Sequence, residues 1–158
     1  MFKKSLILVA LVVGMVFVSS FATQMVLTQD LPSSYDTGLT IDEAFKTAQT
    51  PLLIEFYADS CSTCRRLTPA LHRMVKDEYQ GKLAIVMLDV ADPGNQQIAQ
   101  LFGLEELPGL FIFDSKKMKK QQIASDFFLS EQTLRTGLNQ ALEEVAAAPA
   151  RQGAPQFN

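Results

Sequence analysis

The sequence predicts an α/β domain in which a β-sheet is flanked by helices. Two short, nearly continuous apolar runs, residues 52–58 and 83–90, are typical of strands that are buried on both faces of a sheet. Segments with helical spacing of apolar residues precede, separate and follow these runs, which gives a β-α-β order. With 158 residues, of which 47% are hydrophobic, the chain is long enough for one domain with a full core.

The first helix is predicted from a capping box. Thr40 is the expected N-cap, and Glu43 is the acidic residue that would reach back to it. One face of this helix, which we expect to end near Gln49, carries Ala44, Phe45 and Ala48. The strand at residues 52–58 follows directly, and a second helix should then run to about Tyr79.

The second apolar run, residues 83–90, leads into another helix and a third strand. Residues 92–95 read Asp-Pro-Gly-Asn, which is typical of a turn that begins a helix. The apolar face of this helix carries Ile98, Ala99, Leu101 and Phe102. Residues 110–113 are apolar throughout and form the third predicted strand.

The C-terminal part contains a turn at residues 114–117, an edge strand at residues 119–124 and a last helix opened by Ser130. One face of this helix carries Leu134, Leu138, Leu142 and Val145. We assign the domain to residues 40–146. Residues 147–158, rich in Ala, Pro and Gln, are expected to be a flexible tail.

Residues 1–22 predict export. Lys3 and Lys4 precede an apolar run of about 13 residues, and residues 20–22 (Ser-Phe-Ala) have the small-x-small pattern of a cleavage site. The same segment is long enough to span a bilayer as an uncleaved anchor, so a signal peptide and an anchor both stay open. In either case the domain would face the extracytoplasmic side, in the periplasm or cell envelope. Residues 23–39 would then be a linker with room for one short strand.

The charge of the chain gives no support for binding to nucleic acid, because the formal net charge is −3. The one basic cluster in the sequence, residues 116–120, follows Asp114 in a predicted turn. We interpret this cluster as a solvated turn rather than an anion site.

Cys61 and Cys64 stand directly between the first apolar run and the second predicted helix. Two thiols at this spacing fall within disulfide distance, and a helix N-terminus favours a thiolate on the first sulfur. The pattern is also half of a zinc site, but a tetrahedral site needs four ligands and the chain has two Cys and one His. We therefore interpret the pair as a redox site and His72 as a surface residue.

Further residues around the cysteines resemble those of a known family. The string from Glu55 to Arg65 reads Glu-Phe-Tyr-Ala-Asp-Ser-Cys-Ser-Thr-Cys-Arg, Pro69 lies in the second predicted helix, and Pro108 precedes the third predicted strand. Together with the element order, this pattern resembles the thioredoxin superfamily, and most of all the membrane-tethered thioredoxin-like proteins of the TxlA type. The resemblance implies a thioredoxin fold, with a central mixed β-sheet flanked by helices, over residues 40–145.

The resemblance also implies roles for single residues. Cys61 matches the nucleophilic cysteine and Cys64 the resolving cysteine of a redox-active disulfide. Pro69 matches the proline that kinks the active-site helix. Pro108 matches a cis-proline that faces the cysteines, so that the backbone of Leu107 would be available to pair with a substrate strand.

Glu55 matches a buried acid of the family. Desolvation would raise the pKa of such a carboxylate, which could then take the proton of Cys64. The alternative is a glutamate at a strand end that reaches solvent. The chain also departs from the family, because Ser60 replaces a Trp at the substrate-binding rim and Met87 replaces a Lys near the acid. The apolar docking surface at Ser60 should therefore be smaller.

The sequence thus predicts an extracytoplasmic thiol–disulfide oxidoreductase that works as a reductase, without a metal or organic cofactor. Its partners would be protein disulfide substrates, and we expect a monomer. The resemblance implies an electron donor in the membrane, of the CcdA or DsbD kind, and an outlet in cytochrome c maturation or envelope disulfide reduction. Two alternatives stay open: a disulfide oxidase or isomerase that uses the same sulfurs, and a metallochaperone or binding module that holds a partner or Cu(I).

Overall fold

The computed structural model describes residues 31–147. The predicted signal peptide or anchor, residues 1–22, lies outside the described residues. Residues 23–30 of the predicted linker and residues 148–158 of the predicted tail also lie outside them. Within the described part, no helix is both long enough and apolar enough to cross a membrane.

The described residues form four strands and four α-helices, together with two short 3₁₀ helices. In chain order the larger elements are α1 (Ile41–Thr47), β1 (Leu52–Tyr57), α2 (Ser62–Glu78), β2 (Ala84–Asp89), α3 (Pro93–Phe102), β3 (Gly109–Asp114), β4 (Lys119–Ile123) and α4 (Glu131–Ala147). The 3₁₀ helices are Pro32–Tyr35, before α1, and Ser125–Leu129, between β4 and α4. Each helix and strand predicted for the domain is present, with slightly shifted ends, whereas neither 3₁₀ helix was predicted.

The four strands form one sheet in the order β2-β1-β3-β4. β1 pairs with β2 in parallel and with β3 antiparallel, and β3 pairs with β4 antiparallel. This register places Glu55 of β1 between Met87 of β2 and Leu110 of β3. The mixed sheet confirms the predicted fold class, with β4 at an edge.

Helices cover both faces of the sheet. On one face, α2 and α4 pack against the strands through a cluster that includes Leu53, Leu67, Leu71, Ile112, Leu134 and Leu138. On the other face, α1 and α3 pack through a cluster that includes Ile41, Ala44, Ile54, Phe56, Ala99 and Phe111. Because successive residues of a strand point to opposite faces, β1 is buried along its whole length, as its apolar run predicts.

Side-chain caps determine where the helices begin. The Thr40 hydroxyl accepts a hydrogen bond from the Glu43 N–H at 3.3 Å, and the Thr40 N–H donates to the Glu43 carboxylate at 3.0 Å. This confirms the predicted capping box. Asp92 caps α3 by accepting from a backbone N–H at 2.7 Å, and Ser130 accepts from the Thr133 N–H at 3.1 Å at the start of α4.

Residues 31–39, which were predicted to belong to the linker, form part of the folded unit. They contain the 3₁₀ helix Pro32–Tyr35 rather than a strand, and this helix packs against α2. Pro32 fixes φ at the helix start, and the Ser34 hydroxyl donates to the Leu31 carbonyl at 2.6 Å. The compact unit begins at Leu31.

The basic turn at residues 116–120 contacts the ends of two helices. Lys117 Nζ donates to the Ala146 carbonyl of α4 at 2.5 Å, and Lys120 Nζ donates to the Phe102 carbonyl of α3 at 2.6 Å. A cation at a helix C-terminus satisfies free carbonyls and complements the helix dipole. Two lysines of the predicted solvated turn therefore stabilise helix ends.

Candidate active site

The cysteine pair lies at the start of α2. Cys61 is the N-cap of this helix, and its Sγ accepts a hydrogen bond from the Cys64 N–H at 3.1 Å. The two residues form a disulfide, with their Cα atoms 5.3 Å apart. Cys61 is partly exposed, whereas Cys64 has 0% of its surface exposed. Of the two sulfurs, Cys61 is therefore the one that an external thiol or disulfide can reach.

Glu55 lies inside the protein and does not reach solvent, because 0% of its surface is exposed. Its Oε1 accepts a hydrogen bond from the Thr68 hydroxyl at 2.5 Å, and its Oε2 has no hydrogen-bond partner among the described residues. Burial raises the pKa of Glu55 to about 7, although the Thr68 bond acts in the opposite direction. The carboxyl group can therefore both take and give a proton near neutral pH.

Thr68 links this carboxyl group to the helix of the cysteines. It lies four residues after Cys64, so both buried side chains project from the same side of α2. Thr68 is absent from the residues predicted from the motif. Its position one helical turn after Cys64, facing an acid on the neighbouring strand, is the signal that would have found it. The next residue, Pro69, lies inside α2.

A small apolar cluster surrounds the buried sulfur. Tyr57, Cys64 and Met87 are its buried members, and Leu107 and Cys61 pack against it. Met87 is paired with Glu55 across β1 and β2, at the position where the family resemblance expects a Lys. Because this neighbour is apolar, burial is the main influence on the pKa of the acid.

The predicted substrate-binding residues lie around the same cluster. The peptide bond between Leu107 and Pro108 is cis, and Pro108 is buried directly before β3. Leu107 is partly buried against the cysteine cluster, so the structure places it beside the redox pair. Ser60 is exposed directly before Cys61.

A groove of about 240 Å³ adjoins the cysteine pair. Thr63, which lies between the two cysteines, lines it together with Arg66 of α2 and with Phe128 and Leu129 of the second 3₁₀ helix. Leu129 is 85% exposed, so the groove adds apolar surface near the disulfide. Residues 31–147 contain no group of three or more His, Cys, Asp or Glu side chains that could hold a metal ion.

Arg65 and His72 of α2 are both partly buried. Arg65 donates from Nη1 to the Asp59 carbonyl at 2.9 Å, so it holds the loop before Cys61. The ring of His72 lies 5.0 Å from that of Tyr35, and its Nε2 is buried without a hydrogen-bond partner among the described residues. Burial lowers the pKa of His72, which is therefore not the surface residue that was predicted.

Comparisons with known proteins agree with this arrangement. The thioredoxin family model matches residues 35–138. Thioredoxin C-2 of Corynebacterium nephridii is 31% identical over 90 residues, which cover 54% of this chain and 81% of that protein.

Two chloroplast proteins are also similar to the chain. The thioredoxin-like protein HCF164, chloroplastic, of Arabidopsis thaliana is 33% identical over 98 residues, which cover 62% of this chain and 36% of that protein. The chloroplastic M-type thioredoxin of Zea mays is 30% identical over 84 residues, which cover 53% of this chain and 48% of that protein. The chain therefore matches most of the length of the bacterial thioredoxin but less than half of each chloroplast relative.

Proposed function

Because the chain belongs to the thioredoxin family and is a thiol–disulfide oxidoreductase, we propose that it reduces protein disulfides on the extracytoplasmic side of a membrane. The observation that carries the proposal is the asymmetry of the pair. Cys61 is partly exposed at the start of α2, whereas Cys64 is buried one turn later, next to the residue that hydrogen-bonds Glu55. This arrangement supports a reaction in which an outside disulfide meets Cys61 first.

In the first step, the Cys61 thiolate attacks one sulfur of the substrate disulfide. A bond forms between Cys61 Sγ and that sulfur, the substrate S–S bond breaks, and the leaving thiolate takes a proton from water. The N-terminus of α2 and the Cys64 N–H stabilise negative charge on Cys61 Sγ. The start of the helix therefore favours the attacking form of the nucleophile.

In the second step, Cys64 resolves the mixed disulfide. Its thiol gives a proton to the Glu55 carboxylate, directly or through water, and the new thiolate attacks Cys61 Sγ. The second substrate thiolate leaves, so two electrons have passed to the substrate and the Cys61–Cys64 disulfide has formed, as in the structure. With a pKa of about 7, Glu55 is suited to accept this proton near neutral pH.

The substrate contacts Leu107 and Ser60 in this proposal. Leu107 packs against the cysteine cluster, and Ser60 is exposed directly before the nucleophile. An extended substrate segment can pair its backbone with that of Leu107, which would bring a disulfide sulfur towards Cys61. Pro108 lies buried behind this contact and supports it.

The location and electron supply are further parts of the proposal. Residues 1–22 would export or anchor the chain, and the domain would then lie in the periplasm or cell envelope. A dithiol in an oxidising compartment stays reduced only if a donor supplies electrons. A membrane donor of the CcdA or DsbD kind would reduce the disulfide after each turnover, with cytochrome c maturation or envelope disulfides as the outlet.

The reduction potential of the pair tests the direction of the reaction. A value near about −270 mV would support a reductase. A value near about −120 mV would mean that the protein is an oxidant, and the proposal would be wrong. The alternative function, that of a disulfide oxidase, would then replace the proposed one.

Substrate trapping tests the roles of the two cysteines. Cys64→Ser in the native envelope should accumulate mixed disulfides on Cys61, because the resolving step is blocked. The double variant Cys61→Ser, Cys64→Ser is the matched control and should trap nothing. If the single and double variants trap the same proteins, Cys61 is not the nucleophile.

A further inference from the structure

Residues 31–36, which we call the strap, are tied to the loop before the redox pair. The Ser33 N–H donates to one carboxylate oxygen of Asp59 at 3.0 Å, and the Ser33 hydroxyl donates to the other at 2.8 Å. Asp59 lies two residues before Cys61. Through these two hydrogen bonds, the strap holds Asp59 and the loop before Cys61 in place.

A second tie connects the strap to the end of β1. The Tyr57 hydroxyl donates to Asp36 Oδ2 at 3.0 Å. Tyr57 is a buried member of the cluster that contains Cys64, with 2% of its surface exposed. One end of the strap is therefore bonded to a side chain that packs around the resolving sulfur.

Tyr35 lies between these two ties. Its ring packs against the cluster formed by Tyr57, Cys64 and Met87, and lies 5.0 Å from the ring of His72 on α2. Tyr35 thus belongs to the shell of the cluster that contains the fully buried Cys64. The match to the family model begins at residue 35, so most of the strap lies before the matched region.

We propose that Tyr35 is a positioning residue of the redox site, which acts through Cys64 by keeping water and outside sulfur compounds away from it. Ser33 and Asp36 hold the tyrosine in place. A buried thiol ionises less readily than an exposed one. Cys64 should therefore react only with the sulfur of Cys61, which lies beside it. This inference rests on the proposed function in one respect, which is that Cys64 resolves the mixed disulfide.

The test measures how fast iodoacetamide alkylates Cys64 in the full chain carrying Cys61→Ser, so that only one thiol is present. Adding Tyr35→Ala should raise the rate at neutral pH at least tenfold and move the pH midpoint of alkylation downward, because Cys64 becomes hydrated. Tyr35→Phe keeps the ring, so its rate and its pH midpoint should stay closer to the parent's values than those of Tyr35→Ala.

Phe45→Ala is the matched control. Phe45 is also a partly buried aromatic residue, with its ring 4.7 Å from that of Phe113, but it packs on the other face of the sheet. Its loss should lower stability without exposing Cys64. If Phe45→Ala speeds alkylation as much as Tyr35→Ala does, the effect is general loosening and the inference is wrong.

A milder variant keeps the inference testable if Tyr35→Ala does not fold. The double change Ser33→Ala, Asp36→Asn removes or weakens the ties without removing the ring, and should raise the alkylation rate by a smaller factor. Rates within twofold of the parent in every strap variant that folds would overturn the inference. Because alkylation uses no substrate, this outcome is independent of whether the protein is a reductase.

Discussion

Replacing Glu55 with Gln should stabilise the protein at alkaline pH and leave its stability at acid pH nearly unchanged. Burial raises the pKa of Glu55 from 4.5 to about 7. Between these values the folded state holds a proton that the unfolded state has released, so the stability of the wild type falls as the pH rises through this window. The Gln side chain has no charge at any of these pH values, so the variant escapes this loss.

The size of the effect follows from the two pKa values. Each pH unit between 4.5 and 7 lowers the free energy of unfolding of the wild type by about 1.4 kcal/mol, which gives about 3 kcal/mol over the whole window. Between pH 5 and pH 8, the advantage of the variant should grow by about 2 to 3 kcal/mol. The amide oxygen of Gln can still accept the hydrogen bond from Thr68, so little else changes.

Urea unfolding at pH 5, 6, 7 and 8 measures this difference. Far-UV circular dichroism is the suitable signal because the chain has no Trp, and the disulfide is kept intact so that the cysteines do not titrate. The pKa of His72 is lowered by burial, which costs stability at acid pH in both proteins and cancels in the comparison. Parallel stability curves from pH 5 to pH 8 would refute the reasoning, because they would mean that Glu55 does not titrate as a buried carboxyl group.

Four further outcomes are expected. Glu55→Gln should slow resolution of the mixed disulfide near neutral pH in stopped-flow measurements, with an effect that fades at high pH, where Cys64 ionises without an acceptor; equal rates at every pH would leave Glu55 a structural role only. Thr68→Val should raise the pKa of Glu55 further, because it removes the hydrogen bond that lowers it, and an unchanged pH midpoint of the resolving step would contradict this. In the reduced protein, Cys61 should be alkylated at lower pH than Cys64, and the opposite order would reverse the assigned roles. The native protein should keep its N-terminal segment and resist extraction with carbonate, whereas soluble native protein that begins at Thr23 would rule out a tether.

Features that depend on neighbouring residues could be predicted from the sequence. The capping box needs only Thr40 and Glu43, which are one helical turn apart. The burial of β1 on both faces follows from its unbroken apolar run, and the position of Cys61 at the start of α2 follows from the change from strand to helical spacing. In each case the physical cause acts within a few residues.

Features that depend on distant residues could not be predicted in this way. His72 looks like a surface residue until Tyr35, from a segment without any periodic pattern, packs against it. The contacts of Ser33 with Asp59 likewise join residues that no local rule connects. The strap is held by hydrogen bonds, by the ring of Tyr35 and by the buried Pro32. These contacts do not require a regular apolar spacing in the sequence.

The position of Cys61 as the N-cap of α2 makes one sulfur responsible for both helix initiation and chemistry. The Cys64 N–H donates to Cys61 Sγ and thereby closes the first turn of α2, and the same bond stabilises a thiolate at Cys61. Negative charge on the nucleophile therefore also stabilises the helical conformation of this first turn. Alanine at position 61 would remove the cap together with the nucleophile, whereas serine keeps an oxygen that can accept the same bond. Serine variants therefore separate the loss of redox chemistry from the loss of helix structure, and alanine variants do not.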